Sequence, residues 1–368
     1  MINPSYVVFQ WPVASDFGWG LRGLGYALNW PGASVSASPK LTASLPPQDS
    51  RQLLLAERIE RSRWFQLQIA ANAVSAVQIP EPVLVPLGHA LTERPLAFGP
   101  TLRGTPHVAC PVFEDLEMAE THVDNLKAFD AVVVASRWNQ GVLADWGVEA
   151  QLCHEGIDSV LFNPSVRNRA SDGKFRVFSG GKAEWRKGQD LVIQAFAKFA
   201  EAYDDAVLVA AWGSPFAWAA HSFEGKWEYG SPPGLHNNRP NWHAWVQRAG
   251  INPRQFEWIE PRPNWQMPAI YANVDCAVFP NRCEGGTSFP TMECIACGMP
   301  TLVRYAHGLR DLQGWDASLL MTEEDETVDA MVVWLEARHS CREPNHLIGD
   351  MWTWDQHCKA IDEIIRNA

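Results

Sequence analysis

Apolar positions along this chain come in short β-rich runs, each followed by a turn and then by a stretch with helical spacing. Residues 6–13, YVVFQWPV, are the first such run, and ASDFGWGLRGLGYAL after them reads as a Gly-rich turn entering a helix at about Leu21. Helical spacing covers 52–76, the Pro-broken stretch 77–87 predicts short strands and loops, and 105–112 predicts a strand ending at the acidic turn FEDLEM. Residues 131–134 form a continuous apolar run of the kind buried in a parallel sheet. SRWNQ then starts a helix with Ser136 as its N-cap. A strand at 150–153 and the turn HEGID follow, and the polar segment LFNPSVRNRASDGK marks the best domain boundary.

The second half restarts the alternation. It predicts strands at 175–179, 206–211, 256–259 and 275–279, and helices at 190–202, 242–249, 265–272 and 289–297. Gly298 is placed to cap the last of these helices and Pro300 to stop it. The aromatic, Gly/Pro-rich stretch 213–240 is too long for an ordinary connector and is expected to be a functional loop. Strands alternating with helices in both halves predict an α/β architecture with parallel sheets. At 368 residues the chain exceeds the roughly 250–300 at which a single core splits, so two domains are expected.

Composition narrows the function. A net charge of −12 argues against a general nucleic-acid binder, which carries a basic footprint. No apolar run reaches the ~18 residues of a membrane span, and MINPSYVVFQWPV lacks the charged start of a signal peptide. A cytoplasmic location is therefore the expectation, with peripheral membrane contact left open. The eight cysteines are scattered, and Cys294 and Cys297 fall in a predicted helix without a second CxxC, so reduced structural thiols are expected. Tryptophan is abundant at 18 residues; most should be packing, and a minority should offer an indole face to a sugar ring.

Three constellations carry candidate chemistry. Gly18, Gly20 and Gly23 form a literal G-x-G-x-x-G, but no strand ending in Asp or Glu follows about 20 residues on, as a dinucleotide site requires. A Gly-rich loop approaching some other phosphate or sugar is the preferred reading, with a purely structural turn as the alternative. The loop SGGKAEWRKG places Gly181, Lys182, Arg186 and Lys187 after a strand, where cations suit a diphosphate. In PNRCEGGTSFPTMECIACGMP, Glu284 lies in a loop and Glu293 in the helix after it. The amides of Gly285, Gly286, Thr287 and Ser288 fall between them as a natural anion site. Two carboxylates can also be a glycosidase acid/base pair, which leaves the phosphate-type loops unexplained.

DAVVVASRWNQGVL, HEGIDSVLFNP, FSGGKAEWRKGQDLVIQAF, the two-glutamate segment and MWTWDQHCKAIDEII together resemble the retaining family-4 glycosyltransferases, the glycosyl transferases group 1. The resemblance is strong from about Phe129 to Val303 and weak through most of 1–120. It implies the GT-B fold, with two Rossmann-like domains facing across a cleft. The expected division is an acceptor-side domain at 1–168, a nucleotide-sugar domain at 169–350 and a closing helix at 351–368. That helix places Met351, Trp354, Cys358, Ile361 and Ile365 on one face turned back toward the first domain.

The resemblance implies transfer of a sugar from a nucleoside-diphosphate donor, of UDP or GDP type, to a carbohydrate, glycolipid or glycoprotein acceptor. No metal or other cofactor is implied. Lys187 and Lys182 would hold the diphosphate, with Lys182 in place of the family's usual arginine. Glu293 would hold the ribose and Glu284 the donor sugar; the amides of Gly285–Thr287 would line both. Gly18 and Gly20 would face the donor from the other domain. Eight residues separate Glu284 from Glu293, one more than the family's usual spacing. Where the family carries a histidine this chain reads CPVFEDLEM, and Glu114 or Asp115 would stand in for it. A nucleotide-sugar epimerase, a phosphorolytic enzyme and a degenerate sugar-nucleotide-binding protein are the alternatives.

Overall fold

The structure is a computed structural model that describes residues 6–71, 75–97, 99–114, 119–168, 172–237, 239–315, 317–341 and 351–368. Its first half contains β1 (Val7–Phe9), β2 (Ser34–Ser36), β3 (Ala76–Gln78), β4 (Val83–Leu87), β5 (Thr101–Arg103), β6 (His107–Pro111), β7 (Ala131–Val134) and β8 (Gln151–Leu152). Its second half contains β9 (Phe175–Gly180), β10 (Ala206–Ala211), β11 (Phe256–Trp258), β12 (Cys276–Phe279), β13 (Thr301–Arg304) and β14 (Ala317–Leu320). They form two parallel six-stranded sheets, ordered β2-β1-β4-β6-β7-β8 and β11-β10-β9-β12-β13-β14; β3 and β5 pair separately. The central strands β6 and β12 are buried at every residue, as expected where helices cover both faces of a parallel sheet.

Side-chain alternation sorts the first sheet into two cores. Phe9, Leu84, Val108 and Val133 point to one face, while Val8, Val85, Ala109 and Val134 point to the other, where Phe65 and Ile69 of helix Gln52–Ala70 meet them. The first face is covered partly by the C-terminal helix Trp354–Asn367, which contributes Cys358, Ile361, Ile364 and Ile365. Thr353 caps that helix, its hydroxyl accepting from the amide of Gln356 at 3.3 Å. Its His357 lies between Tyr26 Oη at 3.2 Å and the carbonyl of His154 at 2.7 Å. Burial and the nearby Arg22 charge push this imidazole down to about 3, so it is neutral at ordinary pH.

Several sequence expectations need correction. The glycines after β1 are not a loop: helix Gly18–Asn29 begins at the first of them, ahead of Leu21. A Cβ on Gly20 would stand 2.7 Å from that of Ala14, and one on Gly23 would stand 2.0 Å from the carbonyl oxygen of Pro12. These two glycines are there so that the helix can press against the chain leaving β1. The stretch 213–240 is also more than a loop. Its two short 3₁₀ turns bury Phe223 and Leu235 in the second core, and Trp245 Nε1 donates to the carbonyl of Gly230 at 2.9 Å. The strands β13 and β14 and the helix Glu324–Ser340 were not legible in the pattern. That helix buries only Thr327, Met331 and Leu335, a stripe too narrow to stand out. All eight cysteines are free thiols, and burial pushes that of Cys297 up to about 12.

Gly23→Ala separates two opposed effects. Helix propensity alone favours alanine by about 1 kcal/mol. The contact with the Pro12 carbonyl opposes it, and such overpacking typically costs about 1–3 kcal/mol. We expect a lower urea midpoint at unchanged slope; a raised midpoint would show that the close approach does not matter.

Candidate active site

Each sheet has one place where strand order reverses, and ligands bind parallel sheets outside the carboxyl ends at that place. In the first sheet it lies where β1 pairs with β2 on one side and β4 on the other; in the second, where β9 pairs with β10 and β12. The helix Gly18–Asn29 starts at the first reversal. The loops 181–188 and 280–288 leave β9 and β12 at the second. They meet in a cleft of about 350 Å³ whose walls include Gly18, Arg22, Glu114, Glu155, Lys182, Arg186, Lys187, Glu284, Gly286 and Glu293.

Most of the cations predicted from the loop after β9 are already committed. Arg186, in the 3₁₀ turn Trp185–Lys187, reaches Glu284 at 3.1 Å, Glu184 at 2.9 Å and Glu114 at 2.9 Å. Burial opposes its charge, but the three carboxylates outweigh that and raise its pKa. Lys187 Nζ bonds Glu284 directly. Lys182 is the more open of the two lysines and lies 3.1 Å from Glu184. Glu284 is 4% exposed and also accepts from Asn281 Nδ2 at 2.5 Å. Opposite them, burial opposes ionisation of Glu114. The His89 hydrogen bond and the charges of Arg186 and Lys187 overcome it and hold the carboxyl down at about 2. Asp115 lies outside the described residues.

Glu293 sits in a different environment. Helix Phe289–Ala296 carries it into the cleft wall, where Asn264 Nδ2 donates to one oxygen at 2.6 Å and Tyr271 Oη to the other at 2.7 Å. Burial raises its pKa to about 7, against the two hydrogen bonds that favour the anion. At the N-terminus of that helix Ser288 adopts φ +62°, a left-handed conformation uncommon for a side chain with a Cβ. Gly286 and Ser288 line the cleft. Gly285 and Thr287 stand behind it. The carbonyl of Gly285 accepts from Ser136 Oγ at 2.6 Å, and a Cβ there would meet the Phe113 carbonyl at 2.3 Å. Thr287 is fully buried and donates to Met292 Sδ at 2.8 Å. Gly181, at φ +107°, lets the chain turn along the cleft beside Lys187. Gly18 lines the cleft, whereas Gly20 packs on Ala14.

The comparisons bear on this arrangement. Residues 163–332 match the family model of the glycosyl transferases group 1. That segment holds the cation loop and both glutamates. No curated protein matches the sequence. Among solved structures the chain is similar to sucrose-phosphate synthase from Thermosynechococcus elongatus, at TM-score 0.63 and 14% identity over 99% of this chain and 98% of that one. It is also similar to Anabaena HepE in complex with UDP and glucose, at TM-score 0.56 and 13% identity over 99% and 100%. A third is the UDP-forming α,α-trehalose-phosphate synthase from Burkholderia vietnamiensis, at 0.59 and 11% over 99% and 94%. These likenesses span both sheets, and the fold is GT-B.

Arg22 and Glu155 were missed by sequence reasoning, although both enter the cleft. HEGID reads in the sequence as a turn and as part of the family resemblance; the usable signal for Glu155 is a carboxylate three residues past a strand at the sheet's carboxyl edge. Asn264 and Tyr271 were missed because their partner Glu293 is distant in sequence.

The Glu293 environment predicts a pH dependence of stability. Its native pKa of about 7 lies above the ordinary 4.5, so the native state holds the proton more tightly than the unfolded chain. Its contribution is complete below 4.5 and is lost as pH rises through 7. Glu293→Gln cannot ionise. Its melting temperature relative to the unaltered protein should therefore rise between pH 5 and 8; a constant difference would show that burial does not raise this group.

Proposed function

We propose that the protein transfers a sugar, with retention at the anomeric carbon, from a nucleoside-diphosphate sugar to an acceptor hydroxyl. The observation that carries this reading is the meeting of the Lys182–Lys187 loop with Glu284, Gly286 and Glu293 at one strand-order reversal. Cations, loop amides and a helix N-terminus converge there on the space a diphosphate needs. Similarity to HepE, solved with UDP-glucose, supports a uridine nucleotide as the first donor to test.

In this reading Glu293 accepts from the ribose hydroxyls and Glu284 from hydroxyls of the donor sugar. Lys187 and Lys182 stabilise the diphosphate as the bond from the anomeric carbon to its oxygen breaks. The acceptor oxygen bonds that carbon on the same face, and its proton passes to the departing diphosphate. No metal is required, because the lysines and amides neutralise the developing charge. Before the diphosphate arrives, Glu284 keeps Lys187 pointed into the cleft; phosphate oxygens then compete for the same ammonium. A cytoplasmic site of action is part of the same proposal. Among the described residues no helix is long and apolar enough to cross a membrane.

Lys187→Ala should lower turnover by ~10²-fold or more, the usual effect of deleting one electrostatic stabiliser. Single-turnover assays with UDP-, GDP- and ADP-sugars, with and without added acceptor, measure it and separate transfer from epimerisation and phosphorolysis. Near-normal transfer by the variant would sink the assignment.

A further inference from the structure

The proposed transfer chemistry draws on groups of the second sheet and leaves Arg22 and Glu155 without a role. Arg22 is 2% exposed and still lines the cleft. Its Nε donates to Tyr26 Oη at 3.1 Å, its Nη1 lies 3.4 Å from Glu155 Oε1, and Trp11 stacks 4.6 Å from the guanidinium carbon. The Tyr26 hydroxyl is itself held by His357 at 3.2 Å, so the guanidinium is fixed in place. Its Nη2 finds no hydrogen-bond partner among the described residues. A buried cationic N–H left unpaired costs more than its pairing gains, so such a group calls for an oxygen.

Glu155 is 8% exposed and lines the same wall. A Cβ on Gly286 would come within 2.9 Å of its Oε2, so this carboxylate reaches from the first half to the loop proposed to hold the donor. An unpartnered N–H and a carboxylate on one cleft wall suit a group that both accepts and donates, which is a hydroxyl.

Charge selects among hydroxyl-bearing ligands. The first-half wall carries one cation, Arg22, against Asp16, Glu114 and Glu155, and Arg22 already faces Glu155. Asp16 is paired with Lys40 and Glu114 with Arg186, so this wall has no spare cation to meet a phosphate or carboxylate; a neutral ring needs none. Burial raises the pKa of Glu155 against the opposing charge of Arg22, and Glu284 and Glu114 raise it further. At the rim Trp19, 41% exposed, offers an aromatic face to the C–H surface of a pyranose.

We propose that Arg22 and Glu155 form the acceptor subsite and that it takes a neutral sugar through a hydroxyl, in preference to a sugar phosphate. The proposal rests on the nucleotide-sugar transfer read above, so its test is binding, with UDP binding as a separate arm. Glucose, mannose and galactose and their 6-phosphates are titrated against the full chain with UDP present, followed by tryptophan fluorescence. At least one neutral sugar should bind about 10-fold more tightly than its 6-phosphate. Glu155→Gln, which keeps the shape, should weaken that sugar by about 10-fold or more while UDP affinity stays the same. Arg22→Lys should do likewise, and Glu155→Gln decides the matter if that variant folds poorly. A 6-phosphate that binds as well as its parent, full sugar affinity in Glu155→Gln, or no binding by any neutral sugar overturns the proposal. Failure of the unaltered protein to bind UDP overturns the donor reading, and this proposal with it.

Discussion

The structure turns on one guanidinium. Arg186 leaves the loop after β9 and is gripped by Glu284 and Glu184 of its own half and by Glu114 of the other. Taking this cation out of water is costly, and only the surrounding carboxylates make it tolerable. The same contacts therefore hold the cleft walls at a fixed separation and set the electrostatics inside them. Lys187 shares Glu284 with Arg186, so the ammonium proposed to meet the diphosphate is aimed by the same carboxylate.

Other contacts around this cluster repeat the theme. Ser136 Oγ donates across to Gly285, and Asp311 accepts from the amide of Arg137 at 2.8 Å and lies 2.9 Å from His154 Nε2. His154 in turn stacks on Trp352 at 3.7 Å, where the chain heads back toward the first sheet. Glycine at 285 and 308 lets backbones approach more closely than a side chain would permit; a Cβ on Gly308 would stand 2.2 Å from the Gly286 carbonyl. The loop between the two glutamates is thus clamped from both halves, in keeping with a site that must be preorganised.

What could be read from the sequence was what is local. Continuous apolar runs gave away strands such as Ala131–Val134 and Ala206–Ala211 at their observed bounds, and Ser136 does cap its helix. Lys187, Glu284 and Glu293 were legible because loop and helix chemistry sit on short stretches. Arg22 and Glu155 were not, because they are 133 residues apart and acquire meaning only when two strand ends come together. The glycines after β1 misled for a related reason. Conformational freedom and close packing both select glycine, and only the position of Pro12 tells them apart. Aromatic density in 213–240 serves two ends: Phe223 and Trp227 pack with Trp245 in the second core, whereas Phe216, with Gly213 and Ser214, lines the cleft.

The path of the last helix has a consequence for how this molecule comes into being. Cys358, Ile361, Ile364 and Ile365 complete the apolar face beneath β1, β4, β6 and β7, at the far end of the chain from those strands. During synthesis that part of the face stays uncovered until residues 354–367 have been made. The second sheet, whose strands all lie within 175–320, can close as soon as its own residues emerge. The half made first is therefore completed after the second sheet, and until then its unsealed apolar face is a surface for a chaperone to shield.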